Sequence, residues 1–364
     1  MSHSSPTIAH IQTIPYRLPL HGSLRWGKAS VIHDVHHVLV RVTLSDDSVG
    51  MAEAPPRPTI YGETIHSIAT IIEHELAPRL VGLPADGPLP LHEIKNNQTA
   101  KGAIDIAVHD ALAQHKGISL ADYLGVSAQN IKVSYILGIG DHDTMLAEAE
   151  KVFAQGVRVL KVKVGRNWEQ DIARIVALQD SFGDEMAIYT DANECFSPAD
   201  APAKLAQMAE MGVLYCEEPL PIELMRERAA VRAGEYMPLI GDDSTFSLRD
   251  LRRELALNTF DILNIKTART GYTESRQMLT VARQAGKGVM VGSQASSGLG
   301  TARAGIFAAL DGIAHPSELS FFLKLKEDIL VEPLRIENGF IQVADLANIR
   351  IDDALLREAA KRSE

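Results

Sequence analysis

Short apolar runs alternate with amphipathic segments along most of the chain beyond residue 132. The runs are rich in β-branched residues, whereas segments such as 144–155, 168–182 and 198–211 are rich in alanine, glutamate and arginine. Eight runs recur at a spacing of about 25 residues, which suits one strand and one helix of a β/α repeat. Their centres lie near residues 134, 161, 189, 215, 239, 263, 290 and 314. The pattern predicts an α/β fold with a closed parallel (β/α)8 barrel of the TIM type.

The first part of the chain has a different pattern. Alternating or continuous apolar residues, with turn residues before the last run, predict a three-stranded antiparallel meander. Apolar residues at helical spacing then predict two helices. The predicted strands lie at 8–14, 37–44 and 49–53, and the predicted helices at 64–80 and 99–116. A small α+β domain therefore occupies residues 1–125.

The predicted barrel takes up residues 126–322. Beyond it, residues 328–343 have the pattern of strands, with a turn at 337–340. We expect the C-terminal segment, residues 323–364, to pack back against the first domain. A chain of 364 residues is long enough for a barrel of about 250 residues and a second domain of about 100.

Five residues with acid–base or metal-ligand chemistry stand at the C-terminal ends of successive predicted strands. They are Lys163, Asp191, Glu217, Asp242 and Lys266, separated by 28, 26, 25 and 24 residues. In a parallel barrel these strand ends open onto one face, so residues far apart in sequence converge on one pocket. The spacing therefore predicts a single active site.

The three carboxylates predict a divalent-metal site. Asp191, Glu217 and Asp242 offer hard oxygen ligands on consecutive strands, and Mg²⁺ prefers such ligands. No histidine accompanies them at a strand end, which favours Mg²⁺ over Zn²⁺ or non-haem iron, although Mn²⁺ fits similarly. The neighbouring Asn193 and Asp243 are predicted to support the ligands from behind, and Asp243 is a candidate partner for Lys266.

The lysines predict proton transfer. Lys161 and Lys163 are two residues apart on a strand and therefore project from the same face. A neighbouring cation lowers the pKa of a lysine, so we predict Lys163 as the base and Lys161 as its electrostatic neighbour. Lys266 lies across the predicted barrel from Lys163. Two lysines on opposite sides of a metal-bound carboxylate would address both faces of its α-carbon.

Composition narrows the class of protein. A net charge of −11 argues against a nucleic-acid binder or a protein of anionic membranes, but it permits an anionic substrate in a locally positive pocket. No apolar run approaches the roughly 18 residues that span a bilayer, and the first residues lack the regions of a signal peptide. We therefore expect a cytoplasmic protein that acts on a small-molecule carboxylate.

Two other functions also fit a barrel with these residues. A sugar-phosphate aldolase would use Lys163 or Lys266 to form a Schiff base with its substrate. A ligand-binding protein would keep the barrel without its chemistry. All five strand-end residues are present, which favours an enzyme.

The motifs resemble the muconate cycloisomerase branch of the enolase superfamily over essentially the whole chain. The resemblance rests on Lys-x-Lys at 161–163, Asp-Ala-Asn at 191–193, Glu-Glu-Pro at 217–219, the Asp pair at 242–243, and Lys266. It implies an N-terminal capping domain, a modified barrel, one Mg²⁺ and an enolate-like intermediate at the carbon α to a carboxylate. It also implies a homo-oligomer.

Within that branch, several stretches are similar to muconate cycloisomerases, especially those thought to lactonise with anti stereochemistry. These stretches are 52–58, 61–64, 265–271 and 318–320. Dipeptide epimerases typically carry two aspartates after the eighth strand, and residues 315–321 contain no such pair. The resemblance therefore favours cycloisomerisation of cis,cis-muconate, or a related muconate, to muconolactone.

The resemblance also implies that two capping loops, at 20–28 and 55–62, determine specificity. A dicarboxylate needs cationic or hydrogen-bonding groups at its far end. The candidate substrate-binding residues are Arg25, Lys28, Arg57 and Tyr61 of the capping loops, with Gln294 and Glu318 of the barrel. Glu318 has no obvious role in binding an anion and would equally suit a substrate ammonium. Epimerisation or racemisation of a dipeptide, an N-acylamino acid or a proline derivative, with Lys163 and Lys266 as opposed bases, is therefore the alternative.

Overall fold

A three-stranded antiparallel sheet begins the fold. The computed structural model of the chain describes residues 5–26, 30–138 and 140–363. The sheet consists of β1 (Ile8–Trp26), β2 (Ser30–Leu44) and β3 (Val49–Ala54), in that order, and confirms the predicted meander. Successive side chains of β2 point to opposite faces, and both faces are buried. Val38 and Val40 pack on the capping helices, whereas Leu39 packs towards the C-terminal helix.

The capping helices lie where the apolar spacing predicts them. They are α1 (Ile65–Ile71), α2 (Ala77–Leu80) and α3 (Gln98–His115). A short helix that was not predicted, α4 (Leu120–Leu124), follows α3. A π-helical turn, Ile72–Leu76, separates α1 from α2, which the sequence did not predict. Pro78 has no backbone N–H and cannot continue the regular hydrogen-bond ladder, which accounts for this change of winding.

The barrel sheet has seven parallel strands in sequence order. Strand β4 (Asn130–Lys132) leads into it but pairs elsewhere. The barrel strands are β5 (Tyr135–Ile136), β6 (Val159–Lys163), β7 (Ala187–Asp191), β8 (Cys216–Glu217), β9 (Leu239–Gly241), β10 (Ile262–Ile265) and β11 (Gly288–Val291). The helices between and after them are α5 (His142–Ala154), α6 (Trp168–Phe182), α7 (Ala201–Glu210), α8 (Met225–Ala233), α9 (Leu248–Leu257), α10 (Thr267–Gln284) and α11 (Gly298–Ala308).

The predicted eighth strand near residue 314 is not a regular strand. Residues 315–318 nevertheless close the ring, because the N–H of Glu318 donates to Val291 and the N–H of Ser317 donates to Lys132. Pro316 removes one backbone donor from this segment, so a continuous ladder cannot form there. The barrel prediction is confirmed, with this short irregular closure in place of the eighth strand.

The C-terminal part contains less strand than predicted. Only β12 (Phe340–Gln342) is regular, and it pairs antiparallel with β4. The predicted turn precedes β12, with positive φ at Asn338 and Gly339. Helices α12 (Val343–Ala347) and α13 (Asp353–Lys361) follow, and Leu356 and Ala359 of α13 lie in one apolar cluster with Leu18 of β1. The division of the chain at residues 125 and 322 remains a prediction.

Across the described residues, no helix is both long enough and apolar enough to span a membrane.

Candidate active site

The predicted strand-end residues lie along one rim of the barrel. Lys163 and Asp191 are the last residues of β6 and β7, and Glu217 ends β8. Asp242 and Lys266 directly follow β9 and β10. In the register of the sheet, Asp191 lies opposite both Lys163 and Glu217. The parallel barrel therefore brings these five residues to one face, as their spacing predicts.

Lys161 lies beneath this rim and is held by three carboxylates. Its Nζ is 3.0 Å from Asp191 Oδ2, 2.7 Å from Glu217 Oε1 and 2.5 Å from Glu318 Oε1. The Lys161 side chain is 3% exposed. Burial alone would lower its pKa, but the three carboxylates outweigh burial and raise it well above the ordinary value for lysine. Lys161 is therefore a permanently charged group at the centre of the site.

Lys163 and Lys266 are the two lysines of the site that reach its opening. Their side chains are 17% and 11% exposed, respectively. Lys163 Nζ donates to Asp191 Oδ2 and, at 2.8 Å, to Asn193 Oδ1. Lys266 Nζ donates to Asp242 Oδ2 at 2.5 Å. Because β10 is the fourth strand after β6 in a ring of eight segments, the two ammonium groups face each other across the pocket.

The three predicted metal ligands have the donor chemistry for a hard cation. Asp242 Oδ1 is buried and accepts no hydrogen bond, although Arg269 Nη1 lies 3.5 Å from it. Burial and the neighbouring carboxylates raise the pKa of Glu217 well above its usual range, against the effect of Lys161. As the side chains lie, no three acidic, histidine or cysteine side chains of the described chain are grouped closely enough to hold a metal ion, since Lys161 bridges Asp191 and Glu217. A divalent cation bound here would offset the repulsion from Asp191, Glu318 and Asp242 that helps to raise the pKa of Glu217.

Tyr61 and Gln294 meet beside Lys266. The Tyr61 hydroxyl donates to Gln294 Oε1 at 2.6 Å, joining a capping loop to the loop after β11. Gln294 is 7% exposed, and its Nε2 has no hydrogen-bond partner. The Tyr61 ring packs against Phe246 with ring centroids 5.4 Å apart, and the Arg269 guanidinium lies 4.3 Å from the centre of the same Phe246 ring, which places the pair next to the strand-end residues. Gln294 therefore offers a buried donor at the edge of the site.

The other residues predicted to bind substrate from the capping loops are Arg57, Arg25 and Lys28. Arg57 is buried, and its guanidinium donates to the backbone carbonyl oxygens of Gln294 and Ala295. Arg57 thus links the loop after β11 to the capping domain. We expect it to stabilise this loop and not to contact substrate directly. The side chain of Arg25 and all of Lys28 lie outside the described residues.

Comparisons with known proteins cover nearly the whole chain. Residues 144–347 match the family described as Enolase C-terminal domain-like, and residues 14–125 match the N-terminal domain of mandelate racemase / muconate lactonizing enzyme. The chain belongs to the mandelate racemase/muconate lactonizing enzyme family of the enolase superfamily. It is therefore an enzyme of the isomerase and racemase kind, as the sequence motifs predict.

Individual members of this family differ in what they catalyse. A muconate lactonizing enzyme from Mycobacterium smegmatis, solved with muconolactone, is 36% identical, with a TM-score of 0.91 over 97% of this chain and 99% of that chain. The L-Ala-D/L-Glu epimerase of Bacillus subtilis is 28% identical over 96% of both chains. The o-succinylbenzoate synthase of Geobacillus kaustophilus is 30% identical over 86% of this chain and 85% of its own.

Both carboxylate oxygens of Glu318 accept hydrogen bonds from groups of the barrel. Its Oε1 accepts from Lys161 Nζ and, at 3.1 Å, from the Tyr189 hydroxyl. Its Oε2 accepts from the backbone N–H of Ser293 at 3.0 Å. Glu318 is 3% exposed, so its carboxylate is buried inside the barrel and both of its oxygens accept hydrogen bonds there. The structure therefore places Glu318 as a counter-ion of Lys161.

The partner predicted for Lys266 was the wrong member of an aspartate pair. Lys266 bonds Asp242, whereas Asp243 contacts Arg269 Nη1 at 3.4 Å. Sequence reasoning missed Arg269, which is fully buried and donates to the backbone oxygen of Asp242 at 3.0 Å. Its position three residues after Lys266, one helical turn further on, was the available signal.

Glu218 supports the same ligand from the other side. Its Oε1 accepts from the backbone N–H groups of Asp242 at 2.7 Å and Ser244 at 2.9 Å, and Arg228 donates to its Oε2. Burial raises the pKa of Glu218 to about 7, despite these donors. Glu218 therefore fixes the backbone on which Asp242 is carried.

Proposed function

We propose that this family member is a Mg²⁺-dependent cycloisomerase that converts cis,cis-muconate, or a related muconate, to muconolactone. The engagement of both Glu318 oxygens carries this choice. With Glu318 bound to Lys161, Tyr189 and Ser293, it does not offer a carboxylate to a substrate ammonium. The 36% identity to the Mycobacterium smegmatis muconate lactonizing enzyme agrees with the proposal.

Asp191, Glu217 and Asp242 are the residues that would hold Mg²⁺, and Mn²⁺ meets the same ligand preference. The bound ion would stabilise negative charge that develops on the substrate carboxylate next to the reacting carbon. The Asn193 side chain accepts from Lys163, and its backbone N–H donates to Asp191 Oδ1 at 2.8 Å, so Asn193 supports both a lysine and a proposed metal ligand. Asp243 binds Arg269 and acts on the site through that side chain.

The chain's own residues supply the proton. In lactone formation, an oxygen of one muconate carboxylate bonds to a double-bond carbon. The π electrons of that bond move to the carbon α to the other carboxylate, and an ammonium group protonates this carbon. Lys163 and Lys266 each carry such a group at the opening, held in place by Asp191 and Asp242. Lys161 stays charged and keeps the three carboxylates around it in position.

The far end of the substrate needs donors. Gln294 Nε2 is buried without a partner, and an unmade bond of this kind costs about 1–3 kcal/mol unless a ligand accepts from it. A substrate carboxylate is such an acceptor. Tyr61 fixes the orientation of the Gln294 amide, and Arg57 fixes the loop that carries it.

Epimerisation of an amino-acid derivative is the second candidate. The observation that favours it is the presence of two lysines on opposite sides of the pocket, because 1,1-proton transfer requires a base on each face whereas lactonisation requires one lysine. The similarity to the Bacillus subtilis epimerase is consistent with this alternative. N-acylated substrates have no ammonium group and so do not need a free carboxylate in the site. They are therefore the epimerisation substrates that fit best.

Loss of muconate ultraviolet absorbance by the purified enzyme with Mg²⁺ tests the proposal. We expect the enzyme to turn over muconate. The proton on the α-carbon of the lactone should exchange with solvent, and this exchange should be lost when the lysine that transfers it, Lys163 or Lys266, is replaced by alanine. Inactivity towards muconate together with rapid epimerisation of a dipeptide, an N-acylamino acid or a proline derivative would overturn it. Borohydride treatment with substrate should trap no covalent adduct, whereas the aldolase alternative requires one.

We also propose that the protein is a homo-oligomer in the cytoplasm, without a nucleic-acid or membrane partner. The net charge of −11 supports the last part. Sedimentation measures the oligomeric state directly.

A further inference from the structure

Helix α10 is interrupted just after Lys266. Gly271 has φ 62° and ψ −173°, so the helix stops after its first turn, Thr267 to Thr270, and starts again. Lys266 immediately precedes this turn, and Arg269 lies within it. The hydroxyl of Thr270 donates back to the Lys266 carbonyl at 3.1 Å. The turn is therefore a separate unit that carries both cations facing Asp242.

A side chain from the capping domain caps the second part of α10. Asp105 of α3 accepts from the backbone N–H of Tyr272 at 2.6 Å, and from the backbone N–H and hydroxyl of Thr273 at 2.9 and 2.5 Å. An N-cap is normally the residue that directly precedes the helix. Here the cap lies 167 positions away in sequence and belongs to another part of the fold. Asp105 is 6% exposed, so water does not compete for these donors.

The same face of α3 presses on the turn itself. A methyl group at Gly102 would overlap the carbonyl oxygen of Ala268, and one at Gly271 would overlap the Asp105 carboxylate. These two glycines therefore permit an approach that no larger residue allows. The turn is held by α3 on one side, and through Lys266 and Arg269 by Asp242 on the other.

We propose that Asp105 is a positioning residue for Lys266. It caps the part of α10 that begins at Tyr272 and thereby fixes the position of the turn, Thr267 to Thr270, that follows Lys266. Asp105 does not contact the strand-end residues. Its effect on catalysis rests on the acid–base role proposed above for Lys266, whereas its effect on the placement of Lys266 does not.

Differential acetylation of the lysines tests the placement. The full-length protein with Mg²⁺ is treated with a limiting amount of acetic anhydride, and the modification of Lys266 and Lys163 is quantified by peptide mass spectrometry. In Asp105→Ala, we expect the ratio of Lys266 to Lys163 modification to rise roughly 5-fold, the size that loss of an N-cap implies. Lys163 lies on the opposite side of the barrel and serves as the internal reference.

Asp110→Ala is the matched control. Asp110 is a buried carboxylate five residues further along α3, but it binds Met51 and Arg303 instead of α10. It should destabilise the protein without changing the ratio. Gly102→Ala keeps the cap and displaces the turn, so it should raise the ratio as Asp105→Ala does. If Asp105→Ala does not fold, the acetylation ratios of Gly102→Ala and Asp105→Asn test the placement of Lys266 instead.

An unchanged ratio in Asp105→Ala and Gly102→Ala would overturn the inference, as would an equal rise in Asp110→Ala. Acetylation does not require turnover, so failure of the muconate assay leaves this test intact. If muconate is turned over, Asp105→Ala should also lower kcat more than it raises KM, because the substrate-contacting loops remain in place.

Discussion

The ammonium of Lys161 lies 2.5 Å from Oε1 of Glu318, and both side chains are 2–3% exposed. The two residues are 157 positions apart and lie on the second strand and the closing segment of the barrel ring. The pair therefore joins the irregular closing segment to β6 in the interior. It also gives the acidic residue after β11 a partner other than substrate.

Removal of the Glu318 carboxylate should destabilise the fold. In Glu318→Ala, Lys161, Tyr189 and Ser293 each lose an acceptor, and loss of a hydrogen bond to a charged group costs about 1.5–3 kcal/mol of unfolding free energy. Glu318→Gln keeps an acceptor oxygen and should cost less. Urea unfolding measures both variants. The control is Glu332→Ala, which removes an exposed ion pair with Arg350 and should cost under about 1 kcal/mol. Equal stability of Glu318→Ala and Glu332→Ala would contradict the prediction.

Chelation should abolish turnover, and added Mg²⁺ or Mn²⁺ should restore it. Mg²⁺ should also raise the free energy of unfolding of the wild type, by about 2.7 kcal/mol at 100 times its Kd. Glu217→Gln should lose most of this stabilisation. Asp110→Asn is the control, because Asp110 is a buried carboxylate that pairs with Arg303 away from the strand ends. Thermal unfolding with and without Mg²⁺ measures the effect, and full activity of the chelated enzyme would refute it.

Burial of His37 should make the protein less stable in mild acid. Its ring is fully buried, and burial, followed by the charge of Arg57, lowers its pKa well below 6.5. The unfolded chain takes up a proton at His37 as the pH falls below about 6.5, whereas the folded chain does not. This residue therefore removes up to about 1.4 kcal/mol of unfolding free energy per pH unit below that value, down to its folded pKa.

His37→Phe should remove this dependence, because phenylalanine fits beside the Tyr16 ring and does not titrate. The neighbouring Glu53 has a raised pKa and contributes the opposite slope above pH 4.5, in both proteins. The relevant quantity is thus the difference between wild type and His37→Phe in urea unfolding at pH 7.5 and 5.5. The exposed His92→Phe is the control. A difference that does not change between these pH values would rule out the effect.

Loss of the Tyr61 hydroxyl should weaken substrate binding without unfolding the protein. Tyr61→Phe removes the donor that orients the Gln294 amide, a bond worth about 0.5–1.5 kcal/mol, so KM for muconate should rise by up to about tenfold. We expect a smaller change in kcat. Tyr123→Phe, at a half-buried tyrosine of α4, should leave both constants unchanged. Steady-state kinetics decide, and an unaltered KM in Tyr61→Phe would count against the role of Gln294.

The positions of Lys163, Asp191 and Glu217 could be predicted because they depend on local information. Each is a charged residue that ends a short apolar run, and the repeat length of a β/α unit then brings the runs side by side. The same reasoning cannot choose between adjacent residues. Asp242 and Asp243 both follow β9, but neighbouring side chains point in different directions, and only Asp242 reaches Lys266.

Partners distant in sequence could not be predicted. Glu318 reads as a free acid because nothing near it in the chain is basic, and its partner Lys161 reaches it only when the barrel closes. Arg57 was predicted to meet substrate because it is a cation in a capping loop. Its burial against the carbonyl oxygens of Gln294 and Ala295 depends on how two loops pack, which no local pattern records.

The cap that Asp105 provides for α10 bears on how such enzymes can be recombined. A barrel grafted onto another protein's N-terminal domain would keep every strand-end residue, yet its Lys266 would precede a helix with three unsatisfied donors. A chimera would need an acidic residue and a glycine three positions apart on the incoming helix, at the places of Gly102 and Asp105. If Asp105 positions Lys266 as proposed, the geometry of this lysine is inherited together with the N-terminal half, so an exchange of single capping loops is safer than an exchange of whole domains.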